Sequence, residues 1–131
     1  MPQMLMDHGD KDPADEIREK IGYIDDFDIF FNKVLVAIYI RPKKTKSGIH
    51  LTDDTVKEDE YQGKAALVLK KGPTAFMDDG DARFHGQDVE VGDWIVFRPS
   101  NGVKLSINKT LCVLLQDVQI EMRVPSPDAV F

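Results

Sequence analysis

At 131 residues the chain is one domain's worth, long enough for a real core and too short for two large ones. With 42% hydrophobic and 31% charged residues it has an ordinary soluble composition; no apolar run approaches the ~20 residues that span a bilayer, so no membrane is expected as partner. Of the net charge of −6, residues 1–28 carry nine acids against three bases, which leaves fourteen of each in the rest; an acidic leader on a neutral body lacks the basic face that nucleic acid requires.

The leader begins "MPQMLMDHGDKDPADE", without the basic start and apolar stretch of a signal peptide. It reads as a solvated leader in preference to an acidic docking arm. Within it the spacing predicts one helix. Asp12 caps, Pro13 takes the first helical position, Asp15 and Glu16 lie in the positive first turn, and Gly22 stops it. Glu16 and Lys20 stand four apart, and only Ile17 and Ile21 make an apolar stripe, so the helix must lean on its own domain or on a partner. Packing on its own domain is the preferred expectation.

After Asp28 the chain reads as strands. Residues 31–41 are apolar on both faces, as in a buried barrel or sandwich strand. "GKAALVLKKG" (Gly63 to Gly72) is a second strand closed by glycines. "DVEVGDWIVFRP" holds a short strand, a Gly92-Asp93 turn and a strongly apolar strand. An Asn101-Gly102 hairpin turn precedes Val103, Leu105 and Ile107, which alternate with Lys104 and Ser106. "TLCVLLQDV" and "QIEMRV" follow, the latter placing Ile120, Met122 and Val124 on one face. Short strands with turns at this spacing point to a small β-barrel, all-β apart from the leader helix.

One stretch does not fit a solvated loop. "KTKSGIHLTDD" (Lys44 to Asp54) sets Ile49 and Leu51 alone among polar residues. Either the chain folds back and buries them, or they are meant for another molecule.

Four segments between Phe27 and Val124 resemble the ten-kilodalton co-chaperonins, the GroES-like lids of chaperonin rings. "NKVLVAIYIRPKKTKSGIHLT" looks like that family's first strand running into its mobile loop. "QGKAALVLKKGP" is similar to the strand after the loop, and "VEVGDWIVFRPSNGVKLSI" to the family's "V-VGD-V-F…GVK" segment, the most specific of the four. "TLCVLLQDVQIEMRV" is similar to the closing strand and the turn before the C-terminal strand.

The resemblance implies a GroES-like β-barrel over 29–124, with a mobile-type loop at 44–62 and a roof-type segment at 70–88. An acidic extension with a short helix (1–28) precedes the barrel, and a tail (125–131) follows it. It also implies a non-catalytic co-chaperonin without cofactor, a homo-oligomer in ring form that caps a chaperonin ring and assists protein folding. Gly48, Ile49, His50 and Leu51 would be the chaperonin-binding residues, with Gly48 giving backbone freedom. His50 stands where the family usually has an apolar residue; in an extended segment it faces away from Ile49 and Leu51. The loop's second half, "DDTVKEDEYQG", is more acidic than the small residues typical there, with Val56 and Tyr61 as possible anchors.

Both ends exceed a minimal co-chaperonin, a pattern closest to extended, bacteriophage-encoded members. The alternative is a virion protein that decorates or cements a capsid, with capsid protein as partner. The two readings imply the cytoplasm (the host's, if phage-encoded) and the virion respectively. The tail "PSPDAVF" is expected to dock on a neighbouring subunit or partner.

Enzyme readings find little. No nucleotide-binding glycine loop, zinc-protease helix or nucleophile elbow is present. Asp78, Asp79, Asp81 and His85 match neither a calcium loop nor a zinc motif and read as a solvated acidic turn around Asp79-Gly80. Cys112, the only cysteine, sits in an apolar strand and reads as a small core residue; a lone cysteine forms no intramolecular disulfide, which fits a reducing compartment.

Overall fold

The structure, a computed structural model, describes residues 12–40, 64–78 and 84–130. The leader helix forms where its local signals put it. Helix α1 spans Pro13–Ile21; the Asp12 side chain accepts from Ala14 N at 2.8 Å, and Gly22, at φ 73°, ends it. Ala14 and Ile21 are buried and Ile17 is half-buried against the sheet, so the helix packs on its own domain.

Six strands follow: β1 (Lys33–Ile38), β2 (Ala65–Lys71), β3 (Trp94–Phe97), β4 (Val103–Ile107), β5 (Thr110–Gln116) and β6 (Ile120–Val124). All pairings are antiparallel in the order β4-β5-β1-β2-β3-β6. The all-β class with one short helix, expected from the sequence, is what the chain adopts. Among the described residues β4 and β6 are the ends of this order, so hydrogen bonds do not close the sheet into a ring.

Both faces of the sheet are covered, which is why β1 has no polar face. Val34, Val36 and Ile38 join Ala66, Val68, Ile95, Phe97, Val113 and Leu115 on one side. Leu35, Ala37 and Tyr39 join Leu67, Leu69, Trp94 and Cys112 on the other, beneath α1. A β-bulge at Leu69, where the register steps from Leu35↔Lys70 to Val36↔Val68, re-aims Lys70. Its Nζ donates to the carbonyls of Ile24, Asp25 and Phe27, at 3.1, 3.2 and 2.6 Å, and so staples the leader to β2. Just beyond, Gly72 donates to Lys33 O, and a Cβ at Gly72 would lie 2.2 Å from Phe31 O; only glycine fits that crossing.

Three expectations are corrected. The short strand expected before the Gly92-Asp93 turn does not form: Val89 N is taken by its neighbour's carboxylate, Asp88 Oδ1, and Glu90 N by Asp93 Oδ2, which leaves neither amide for a ladder. The Gly92-Asp93 turn instead docks on β2, with Gly92 N on Val68 O and Val68 N on Asp93 O, both at 2.9 Å. Asn101-Gly102 is a turn but joins no hairpin, since β3 pairs with β2 and β6 while β4 pairs with β5. The hairpin turn is Asn108-Lys109, both residues at positive φ (49° and 64°), as a type I′ turn demands. The tail, expected on a neighbouring subunit or partner, folds back on its own chain: Pro127–Val130 form a 3-10 helix in which Pro127 and Asp128 are buried.

Candidate functional site

The residues expected to bind a chaperonin, Gly48, Ile49, His50 and Leu51, lie outside the described residues, as does the rest of the 44–62 loop. What the structure gives is the root from which residues 41–63 depart. Both ends sit side by side in one antiparallel pair: Ile38 is in register with Ala66, and Tyr39 N donates to Ala65 O at 2.9 Å. Lys64 O accepts from Phe97 N at 2.9 Å, which ties the returning end to β3. Tyr39 is itself held, its ring edge-on to Trp94 with centroids 5.7 Å apart and its hydroxyl donating to Asp128 Oδ1 at 2.6 Å. The 41–63 segment is thus carried by fixed ends in the buried centre of the sheet.

The roof-type segment is held from below by Asp117. This buried carboxylate accepts from Asn32 Nδ2 (3.1 Å) and Val118 N (2.7 Å) through Oδ1, and from Phe76 N (3.0 Å) through Oδ2. It joins the start of β1, the base of the roof segment and the turn before β6. The two limbs of that segment meet edge to face, Phe76 on Phe84 at 5.5 Å, and Phe84 N donates to Asp78 Oδ1 at 2.5 Å. Asp78 is therefore used in holding the segment together, while Asp79, Gly80 and Asp81 lie outside the described residues. His85 is exposed, and among the described residues no three side chains group to hold a metal ion.

Two apolar surfaces remain on the outside. Tyr23, Phe27, Phe30 and Phe31 are exposed in the segment that leads into β1, Phe31 to 72%. A cleft of about 750 Å³ runs between the roof segment and β6, lined by Phe76, Phe84, Val89, Val118, Met122 and Arg123 among others. Val118 and Met122 are exposed there beside the edge of β6, which is unpaired among the described residues. Rim ion pairs, Lys71–Asp88 at 3.1 Å and Arg123–Asp93 at 3.6 Å, are partly solvated and contribute little to stability.

Cys112 lies buried in β5, its thiol directed to Thr110 O at 3.5 Å, and burial pushes its pKa up to about 11. A thiol so held stays protonated near neutrality, the opposite of a nucleophile's setting. Among the described residues no helix is long and apolar enough to cross a membrane.

Sequence reasoning named the Gly48–Leu51 segment but missed Tyr39, Asp117 and Asp128. Asp117 belongs to the "QDV" turn noted in the sequence; its partners, 85 and 41 residues away, left no local signal.

The model of the Cpn10 family, described as chaperonin 10 Kd subunit, matches residues 27–122. The co-chaperonin GroES of Halothermothrix orenii (strain H 168 / OCM 544 / DSM 9562) is 36% identical over 77 residues, which make 59% of this chain and 73% of that protein. Neither match concerns a bacteriophage or capsid protein, so the virion alternative gains no support from them. The match takes in β1 to β5 and the first three residues of β6, and on it the chain belongs to the family of ten-kilodalton chaperonin subunits, the co-chaperonins.

Proposed function

We propose that copies of this chain assemble into a ring that caps a chaperonin ring and assists protein folding, docking through Gly48, Ile49, His50 and Leu51. The observation that carries the reading is where those residues stand: partway along a connection whose two ends share one antiparallel pair at the centre of the sheet. A co-chaperonin has no bond to make or break, and the protonated, buried Cys112 accords with a non-catalytic role.

Burying Ile49 and Leu51 in an apolar groove gives about 1.5–3 kcal/mol each, before the ordering cost of the segment is subtracted. One copy therefore binds weakly. A ring presents several such segments at once, which makes the later contacts effectively intramolecular and turns weak docking into a firm, reversible lid.

The ring is supported by two unlike apolar surfaces on one chain. The exposed aromatics Tyr23, Phe27, Phe30 and Phe31 lie in the segment that leads into β1, and the cleft beside the edge of β6 that is unpaired among the described residues offers Val118 and Met122. A head-to-tail contact between unlike surfaces closes into a ring when its rotation permits, and it covers an edge that would otherwise invite aggregation. This reading implies the cytoplasm, with its chaperonin, as the working compartment. No observation favours the capsid reading, and it is not carried forward.

The test is a double variant, I49D with L51D. It is expected to abolish binding to a chaperonin ring in the presence of nucleotide while the oligomer keeps its mass in solution. Binding that survived both substitutions would show the docking assignment to be wrong.

A further inference from the structure

Two elements lie outside the residues that match the family model, α1 and the tail helix Pro127–Val130. They converge on one face of the sheet. Ala14, Ile17 and Ile21 from α1 and Val130 from the tail share a single apolar cluster with Leu35, Tyr39, Leu67 and Trp94. Apolar packing alone would hold them there. The tail adds a contact that packing does not require, the 2.6 Å hydrogen bond from the Tyr39 hydroxyl to the Asp128 carboxylate. Both residues are buried, Asp128 to 6% exposure. A buried carboxylate is costly unless it is well paired, so a phenylalanine at 39 over an apolar residue at 128 would fill the same space more cheaply. The pair's distinctive property is position. Tyr39 carries the backbone bond to Ala65 that stands at the mouth of the 41–63 connection, and its ring is already fixed from the other side by Trp94.

We propose that the C-terminal tail is a clamp on the root of the β1–β2 connection. Tyr39 and Asp128 act as positioning residues that fix the direction in which the docking segment leaves the sheet. The proposal rests on the docking reading given above. A segment whose root is held samples fewer arrangements, so less freedom is lost when it docks. In a ring that reduction is repeated in every copy, and small differences per copy multiply in the affinity of the whole lid.

The test uses the full-length protein and two measurements. Amide exchange at residue resolution, without chaperonin, reads the clamp itself. Y39F keeps the ring against Trp94 and removes the hydroxyl, and D128A removes the acceptor. Each is expected to speed exchange at the Tyr39 amide about tenfold, the worth of one hydrogen bond to a charged acceptor, and to leave Leu35 unchanged. D128N retains a carbonyl acceptor in the same place and is expected within about twofold of the parent. Equal exchange at Tyr39 in the parent, Y39F and D128A would overturn the clamp, whatever happens at a chaperonin.

Affinity for a chaperonin ring with nucleotide reads the positioning role. It is expected to fall about tenfold or more in Y39F and D128A, since each copy loses its held root, and to recover in D128N. Faster exchange at Tyr39 with undiminished affinity would overturn positioning. A parent protein that bound no chaperonin would overturn the docking reading and the positioning role together, while the Tyr39 amide would still decide the clamp.

Discussion

Asp117 is the residue on which the chain's separate parts meet. Its two oxygens accept from three N–H groups on Asn32, Phe76 and Val118, which belong to three separate segments of the chain. The chemistry requires a carboxylate. An asparagine places an NH2 group at one of the two oxygen positions, and either position faces a donor. D117N is therefore expected to lose about 2–3 kcal/mol, nearly as much as D117A, because both leave buried donors without an acceptor. Urea unfolding at fixed pH checks this, and a D117N protein as stable as its parent would mean the network is not what ties the roof segment to the barrel.

Among the elements, the β4–β5 hairpin shows where the sequence could be read and where it could not. Asn108 and Lys109 both adopt positive φ, a conformation glycine takes freely and lysine does not. K109G is expected to raise stability by about 0.5–1 kcal/mol, seen as a higher denaturant midpoint with unchanged slope. Loss of stability would contradict the type I′ assignment. Asn108 has a second task, its Nδ2 donating at 2.5 Å to Ile21 O at the end of α1. The lysine is what hid this turn, because Asn-Lys is no hairpin signal, whereas Asn101-Gly102 is the standard one and yet bends the chain between strands that do not pair. Helix α1 was legible to the residue, since Asp12, Pro13 and Gly22 act on their immediate neighbours. The six strands were legible as elements though not to their ends, β1, β2, β3 and β5 from apolar runs and β4 and β6 from alternation. The short strand expected before the Gly92-Asp93 turn failed because aspartate side chains captured its amides, a competition that composition alone does not rank. The candidate site was legible only in part. Gly48 to Leu51 were named from an apolar pair out of place and a family pattern and lie outside the described residues, whereas Tyr39 and Asp128 meet across 89 residues and carry no spacing to read.

At the scale of the whole molecule, a co-chaperonin barrel carries two additions that fold onto it. Residues 27–122 supply the strands common to the family, with the connection between β1 and β2 departing from a firmly paired root. The leader helix and the tail wall one face of that sheet, while the aromatics before β1 are exposed and, among the described residues, β6 ends the strand order. The account stands or falls on whether the connection meets a chaperonin. The most direct measurement is hydrogen exchange across Lys44 to Gln62 on the full-length protein, alone and then with a chaperonin ring and nucleotide. The account predicts protection that appears on addition of chaperonin and centres on Gly48 to Leu51, with the β-strands unchanged. Exchange across this segment that is the same with and without chaperonin would contradict it, and Ile49 and Leu51 would then have to serve packing within the protein's own assembly.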